Sequence, residues 1–357
     1  MRIGIPKEVK ILEGRVGLIP AACAELVRAG HEVFMEKSAG DLTGYPDAAY
    51  TAVGVKILPD AAALYGTAQL IVKVKEPQPA EVAMLRKDHL LFSYLHLAAE
   101  PQLAKDLLKV GLTGVAFETV EEANGQLPLL APMSDIAGRI AVQAGVHYLH
   151  RPLGGKGILI GGVPAAERGS IVVLGAGVAG GNSTILAAGM GANVTVFDRN
   201  RDKLAAMRAI GPNVTALYPF ADQIKEAVIN ADLVIGAVLI IGEKAPHLVD
   251  AATVKQMGAG SVIVDISVDQ GGCIETTRPT NYKDPTYVVD GVVHFAVTNM
   301  PGAVPRTSSQ ALSAALMPYC LKLAQNGWEQ NYPALSKGIN VRGGQLVHPG
   351  LKKSLTI

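Results

Sequence analysis

The amino-acid sequence predicts an α/β protein made of two doubly wound domains with a cleft between them. Short runs rich in Val, Ile and Leu alternate with helical patterns along the chain, which is typical of βαβ construction. Apolar residues make up 49% of the sequence and aromatic residues only 5%, as expected for parallel sheets covered by helices. A length of 357 residues exceeds what one hydrophobic core usually serves, so we expect two domains.

The first part of the chain contains short apolar runs bounded by turn residues, and these predict strands at 3–6, 32–35, 70–74, 90–95 and 114–117. Helical patterns lie between them, at 21–29, 81–85 and 102–110. A longer helix is predicted over 133–150. Ser134 is its predicted N-cap, because a serine hydroxyl accepts a hydrogen bond from a first-turn amide. The Gly/Pro-rich stretch at 152–164 predicts a loop.

A second series of apolar runs predicts strands at 170–174, 193–197, 214–217, 233–238, 262–266 and 287–289. A final helix is predicted over 308–326. Because the second series stands between the first series and this helix, we expect a discontinuous outer domain of residues 1–128 and 306–357. Residues 129–305 then form the inner domain.

Charge and cysteine content exclude several functional classes. The formal net charge is +1 with scattered Lys and Arg, which does not favour a nucleic-acid or lipid surface. Apolar stretches such as 237–241 are far shorter than the roughly 20 residues that span a bilayer. The N-terminus carries no signal-peptide pattern. Cys23, Cys273 and Cys320 have no paired spacing, which favours a reducing, cytoplasmic compartment and predicts neither a metal site nor a cysteine nucleophile.

A glycine motif follows the predicted strand at 170–174. Gly175 permits a tight turn, Gly177 lets the backbone approach a pyrophosphate, and Gly180 allows close packing of helix and strand. The following helix offers unpaired N–H groups to the phosphates. The motif therefore predicts a Rossmann-like dinucleotide site, although a purely structural βα turn is the alternative.

Asp198 ends the next predicted strand, about 20 residues after the motif, where an acid binds the adenine ribose. Its carboxylate would repel a 2′-phosphate, which favours NAD over NADP. Arg199 and Arg201 are close in sequence and weaken that preference.

Four polar residues stand where ligands collect in open α/β sheets. Lys75, His96 and Asp269 each follow a predicted strand, and Arg15 lies in the loop after the first one. Each also has a structural explanation: a surface lysine, a hydrogen-bonded core histidine, a turn-capping aspartate, or an arginine paired with Glu13 in solvent.

The chemistry of a 2-amino-acid oxidation matches these four side chains. Arg15 can bind a carboxylate through two hydrogen bonds, and Lys75 adds a point charge. His96 can exchange a proton near neutral pH. Asp269 can stabilise positive charge on an imine, while a nicotinamide cofactor supplies the hydride chemistry.

Several segments together resemble the family that comprises alanine dehydrogenases and the NAD-handling transhydrogenase subunit. They are IPKE (5–8), EGRV (13–16), VKEP (74–77), YLHLA (94–98), PMS (132–134), DISVDQGG (265–272) and NMP (299–301). The resemblance covers essentially the whole chain.

The resemblance implies reversible conversion of L-alanine, NAD and water to pyruvate, ammonia and NADH by a homohexamer. It implies that Arg15 and Lys75 bind substrate, that His96 and Asp269 are catalytic, and that 1–128 with 306–357 is the substrate domain. Residues 129–305 are then the NAD-binding domain. Beyond the three motif glycines, the NAD-site residues it implies are Ser134, Val178, Asp198, Lys203, Val238, Leu239, Ile266, Ser267, Val268, Asp269, Val297, Thr298, Asn299 and Met300.

Two alternative functions remain. One is the NAD-handling subunit of a proton-pumping transhydrogenase. The other is a non-catalytic NAD-binding sensor or scaffold. The joint presence of Lys75, His96 and Asp269 favours the dehydrogenase over both.

Overall fold

The computed structural model describes residues 1–238, 247–268 and 271–355. The chain divides into two compact units. The first unit comprises Met1–Met133 and Val304–Ile357, and the second unit comprises Ser134–Ala303. The first unit is thus assembled from two separate stretches of chain.

The sheet of the first unit has eight strands among the described residues: β1 (Arg2–Ile5), β2 (Glu32–Glu36), β3 (Lys56–Leu58), β4 (Leu70–Val72), β5 (Leu90–Ser93), β6 (Thr113–Ala116), β14 (Ile339–Arg342) and β15 (Gln345–Leu346). Their order is β15-β14-β6-β5-β4-β1-β2-β3. Strands β1 to β6 run parallel, whereas β14 and β15 are antiparallel additions at one edge. The order reverses between β1 and β4, and the carboxyl ends of strands at such a point open a crevice.

The helices of the first unit are α1 (Pro20–Arg28), α2 (Asp47–Thr51), α3 (Ala61–Thr67), α4 (Pro79–Val82), α5 (Pro101–Val110), α11 (Pro305–Leu323), α12 (Trp328–Asn331), α13 (Pro333–Lys337) and α14 (Pro349–Ser354). Several of them begin with proline. A first-turn residue has no helical partner for its N–H, so proline loses nothing there and its fixed φ favours the helix.

The described strands of the second unit are β7 (Ser170–Leu174), β8 (Asn193–Phe197), β9 (Val214–Leu217), β10 (Leu233–Gly236), β11 (Val262–Asp265), β12 (Thr286–Val289) and β13 (Val292–Phe295). Their order is β12-β13-β11-β10-β7-β8-β9, and all except β12 run parallel. β12 and β13 form a hairpin through Asp290 and Gly291. Both have positive φ, as the favoured two-residue hairpin turn requires.

The other helices are α6 (Ala131–Tyr148), α7 (Val178–Gly189), α8 (Arg201–Arg208), α9 (Ala221–Ile229) and α10 (Ala251–Val254). α6 begins three residues before the second unit, and the other four lie within that unit. The prediction that Ser134 is an N-cap is wrong, because α6 begins three residues earlier and Ser134 lies inside its first turn. Pro132 does not prevent this start, since a first-turn proline breaks no helical hydrogen bond.

Central strands carry the core of each unit. Every residue of β4 and of β10 is buried, as expected for parallel strands covered on both faces. The predicted doubly wound α/β class is therefore confirmed.

The strands β3, β14 and β15 of the first sheet and β13 of the second sheet were not predicted, whereas the edge strands β9 and β12 were. β3 has three residues, and β14 alternates apolar and polar residues too briefly to be distinguished from a loop. β14 exists because β6 offers it hydrogen-bonding partners, and that pairing joins residues more than 200 positions apart. The sequence pattern of β14 itself does not encode this pairing.

Candidate active site

Lys75 and His96 follow β4 and β5, which are neighbouring parallel strands of the first unit. Arg15 lies after β1, the strand on the other side of β4. Carboxyl ends of neighbouring parallel strands meet at one sheet edge, so the fold brings these three polar residues to the same edge. The charge of Arg15 acts on Lys75 and also on Tyr94, whose ring stacks on that of His96.

Arg15 is held in a buried ion pair. Its Nε and Nη2 donate to the two oxygens of Glu13 at 2.7 and 2.6 Å, and Nη1 lies 3.1 Å from Sδ of Met133. Burial alone would lower the pKa of Arg15, but the hydrogen bonds and charge of Glu13 raise it. Arg15 does pair with Glu13, but inside the protein and not in solvent. The pair holds a permanent cation in a fixed orientation.

Lys75 stands beside a buried charge network. Glu8 accepts hydrogen bonds from the backbone N–H of Val74 at 2.6 Å and of Lys75 at 3.3 Å. The same carboxylate accepts a hydrogen bond from Nζ of Lys73 at 3.0 Å, and this Nζ also lies 3.5 Å from Oε1 of Glu81. The network satisfies Lys73 and orders the backbone that carries Lys75.

The pKa of Lys75 is lowered from the usual lysine value. Burial is the largest cause, and the positive charge of Arg15 adds to it; Glu76 acts in the opposite direction. Ionisable groups whose pKa is shifted by burial and by a neighbouring charge often mark functional sites.

His96 has an uncommon backbone conformation, with φ at +47°. Its ring stacks on Tyr94 with a 1° interplanar angle and 5.6 Å between centroids. The hydroxyl of Tyr94 donates to the Leu129 carbonyl at 2.6 Å, which anchors the stacking partner. His96 remains 40% exposed, so its ring is supported on one face and open to ligands.

The glycine motif of the second unit has the geometry expected from its sequence. Gly175 has φ at +100°, and a Cβ there would lie 2.7 Å from the carbonyl oxygen of Ala237. A Cβ on Gly180 would lie 1.7 Å from the carbonyl oxygen of Gly175, so α7 packs against the turn at the distance only glycine permits. A Cβ on Gly177 would have open space around it, which leaves that backbone free for a ligand. Val178 begins α7 and is exposed.

Asp198 directly follows β8, and its carboxylate is tied to the glycine turn. Oδ2 accepts from the N–H of Ala176 and Oδ1 from the N–H of Asn200, both at 2.8 Å. Asn200 in turn caps α8 by accepting from the N–H of Lys203 at 3.0 Å. Asp198 therefore lies at the end of β8 and Lys203 in the first turn of α8, on either side of a short connection beside the motif.

Most of the other residues that the family resemblance implies for the NAD site follow β10, β11 and β13, which are adjacent parallel strands. They are Val238 after β10, then Ile266, Ser267 and Val268 after β11, then Val297, Thr298, Asn299 and Met300 after β13. The shared sheet edge brings these three groups together with the glycine turn after β7, which pairs with β10. Ser134 lies in α6, away from these strand ends in sequence. Leu239 and Asp269 lie outside the described residues.

The roles of three carboxylates at these sites were not predicted. Glu13 orients Arg15, Glu118 binds the backbone of His96, and Asp265 accepts from Ser267 N at 2.9 Å and from Thr277 Oγ1 at 2.8 Å. Burial raises the pKa of Asp265. Glu118 and Asp265 stand at the carboxyl ends of β6 and β11. The argument that selected Lys75 and His96, that ligands collect at the carboxyl ends of strands, would therefore also have selected these two residues.

The described part of the chain offers little support for other kinds of site. It contains no group of three or more His, Cys, Asp or Glu side chains suited to a metal ion. It contains no helix that is long and apolar enough to span a bilayer. The three cysteines are free and buried, and burial raises the pKa of each thiol.

Comparison with known proteins gives full-length matches. The family model for the alanine dehydrogenase/PNT N-terminal domain matches residues 4–137, and that for the C-terminal domain matches 141–349. The chain is 47% identical to the alanine dehydrogenase of Methanococcus maripaludis, over 99% of this chain and 96% of that one. It is 48% identical to that of Mycobacterium tuberculosis, over 97% and 95% of the two chains.

Two solved structures are similar along nearly the whole chain. An L-alanine dehydrogenase has a TM-score of 0.96 at 50% identity and covers 99% of each chain. A transhydrogenase from Sinorhizobium meliloti has a TM-score of 0.85 at 25% identity, covering 98% of this chain and 99% of that one.

Proposed function

Because this chain belongs to the alanine dehydrogenase/PNT family, we propose that it catalyses the reversible, NAD-dependent deamination of L-alanine to pyruvate and ammonia. Identity to a solved L-alanine dehydrogenase is 50%, against 25% for the transhydrogenase, which supports the dehydrogenase within this family. The main structural support is that two cations, Arg15 and Lys75, stand at the same sheet edge as His96.

In this proposal Arg15 and Lys75 bind the carboxylate of the substrate. Glu13 fixes the plane of the guanidinium, so little side-chain entropy is lost when a ligand binds. Lys75 contributes a second positive charge on a backbone ordered by Glu8. Such fixed charges orient a small substrate as well as attract it.

The glycine motif fits the pyrophosphate of NAD, because the space that a Cβ on Gly177 would occupy is empty. The helix dipole of α7 favours the phosphates at the same place. We propose that the nicotinamide and ribose groups bind the residues at the ends of β8, β10, β11 and β13 named above. When bound, NAD supplies the acceptor for the hydride from the 2-carbon of the amino acid.

His96 is the proposed proton carrier. Its ring takes a proton from the water that adds to the oxidised substrate, and returns it as ammonia departs. The partly open ring and the Tyr94 stack suit a residue that must keep one orientation and still reach a ligand. Asp269 is proposed to stabilise positive charge on the substrate, and this role stays a prediction.

The test of the function is NADH formation by the purified protein at alkaline pH with a panel of small L-amino acids. Turnover with L-alanine and NAD supports the proposal. NAD binding without turnover of any amino acid would instead favour the transhydrogenase-like or sensor function. Deamination should accelerate at alkaline pH and amination at lower pH, because the amine must lose a proton before it is oxidised.

Replacing the acid at the end of β8 should change cofactor choice. An Asp198→Asn substitution keeps only one of the two acceptors that bind Ala176 and Asn200, and it removes the charge that repels a 2′-phosphate. We expect the ratio of kcat/KM for NAD to that for NADP to fall by about tenfold, which is about 1.4 kcal/mol. Steady-state kinetics with both cofactors measure this ratio. An unchanged ratio would remove Asp198 as the determinant, and the KM for L-alanine serves as the control.

Carboxylate binding should weaken with rising pH earlier than an ordinary lysine would allow. Burial and Arg15 lower the pKa of Lys75, so its charge is present below that pKa and is lost as the pH rises through it. Affinity for pyruvate, which has no amino group to titrate, should decline over that range. A Lys75→Arg variant should show a flatter profile, because its guanidinium stays charged. Equal pH profiles for the two proteins would contradict a role for Lys75 in charge pairing.

We also propose a homohexamer located in the cytoplasm. The hexamer rests on the family resemblance, and the compartment is supported by three buried, unpaired cysteines. Sedimentation velocity measures the assembly state directly.

A further inference from the structure

Glu118 contacts the segment that carries His96. It lies in the short turn Phe117–Thr119 after β6, and its side chain is 16% exposed. One oxygen, Oε1, accepts from the backbone N–H of His96 at 2.7 Å, and both oxygens lie 3.3 Å from the N–H of Leu95. One carboxylate therefore binds two consecutive backbone amides at the end of β5.

This contact explains how His96 keeps its conformation. A non-glycine residue at φ +47° is strained by about 1–3 kcal/mol and persists only where its surroundings determine it. Two successive N–H groups that converge on one anion are a recurring way to stabilise a left-handed residue. The carboxylate of Glu118 supplies that anion.

Glu118 also faces the ring of His96. Its Oε1 lies 4.0 Å from Nδ1, which is too long for a hydrogen bond and close enough for charge attraction when the ring is protonated. The stack on Tyr94 limits rotation of the ring. Nε2, on the opposite edge of the ring, is left as the nitrogen directed away from the carboxylate.

Three other charged or titratable groups near Glu118 and His96 do not supply an anion to the His96 ring. His348 feels the charges of Glu118 and Glu121, but burial lowers its pKa and favours its neutral form. Tyr94 has its pKa raised by burial and stays a neutral phenol. Arg15 is paired with Glu13 in a buried, bidentate contact.

We propose that Glu118 is a positioning residue for His96, resting on the proton-carrying role given to His96 above. Its carboxylate holds the backbone in the left-handed conformation and faces Nδ1 of the ring. Nε2 is then the atom that exchanges a proton with the reacting water. Orienting carboxylates of this kind act on catalysis through the residue they hold.

The experiment compares full-length Glu118→Gln with the unmodified protein. Glutamine keeps one oxygen for the His96 amide and loses the charge. We expect kcat to fall by about tenfold with little change in the KM for L-alanine. Single-turnover kinetics should place this loss in the chemical step, because the groups proposed to bind L-alanine and NAD are unchanged.

Two further variants serve as controls. Glu121→Gln removes a carboxylate three positions away that pairs with Lys337 at 2.8 Å, and it should leave kcat and the His96 ring signals unchanged. Glu118→Asp keeps the charge and should retain more of kcat than Glu118→Gln. Circular dichroism and Tm establish that each variant is folded.

The ring signals of His96, followed by NMR with ring-labelled histidine and assigned with a His96→Asn variant, give a readout that needs no turnover. A change in these signals in Glu118→Gln, absent in Glu121→Gln, supports the inference even if L-alanine is not a substrate, in which case only the proposed function fails. Unchanged ring signals overturn the inference. So does an equal loss of kcat in Glu118→Gln and Glu118→Asp, because that pattern reflects a merely structural role.

Discussion

The His96→Ala substitution is expected to lower kcat for L-alanine oxidation by about 10²–10⁴-fold, the range that a general acid–base group contributes. KM for L-alanine and affinity for NAD should change little, because substrate and cofactor are proposed to bind through Arg15, Lys75 and the second unit. Steady-state and single-turnover kinetics separate the chemical step from binding.

Strain and folding need a separate control, since alanine is also disfavoured at φ +47°. His96→Asn supplies it, because asparagine tolerates the left-handed conformation. Both variants should be folded, since the ring is 40% exposed and contributes little to the core. Partial recovery of His96→Ala by added imidazole would support a proton-transfer role. Near-normal turnover in both variants would remove His96 from the mechanism.

The second large effect is expected from Gly180→Ala. The new Cβ would lie 1.7 Å from the carbonyl oxygen of Gly175, a distance that real Cβ atoms essentially never show. α7 must therefore move away from the turn after β7, which disturbs the proposed pyrophosphate site. Overpacking of this kind costs about 1–3 kcal/mol, and sometimes more. We expect a lower Tm and a large loss of NAD affinity.

The next residue provides a matched control. A Cβ on Gly181 would lie 3.5 Å from Cε of Met207, an ordinary van der Waals contact. Gly181→Ala adds the same methyl group to the same helix, and replacing a helical glycine with alanine stabilises by about 0.5–1 kcal/mol. Calorimetry and NAD titration should therefore separate the two variants. Similar behaviour of both would contradict the role of close packing at Gly180.

Much of the fold was predictable because its signals are local. Apolar runs of four to six residues predicted most central strands, which are buried on both faces and need little sequence context. The glycine motif was predictable for the same reason, since the conformation of Gly175 and the spacing to Gly180 belong to one turn. The position of Lys75 and His96 at strand ends also follows from local pattern. Their functional roles stay predictions.

Several short strands, such as β3 and β14, and the start of α6 were less predictable. β14 forms because β6 is available, and α6 begins before Ser134 because the chain around Pro132 accepts helical geometry. In both cases the local pattern allows more than one outcome. Tertiary contacts then select one of them.

The sequence by itself determined the two-sheet α/β class, the glycine turn and the identity of the polar residues at the strand ends. Only the tertiary structure decided that Glu13 pairs with Arg15 inside the protein and that Glu118 binds the amide of His96, a residue 22 positions away. The physical reason is the separation along the chain over which each signal acts, because periodicity and turn chemistry involve only a few neighbouring residues. Glu118 and the amide of His96 meet only after their strands lie side by side, and the burial of the local Glu13–Arg15 pair depends on what packs around it.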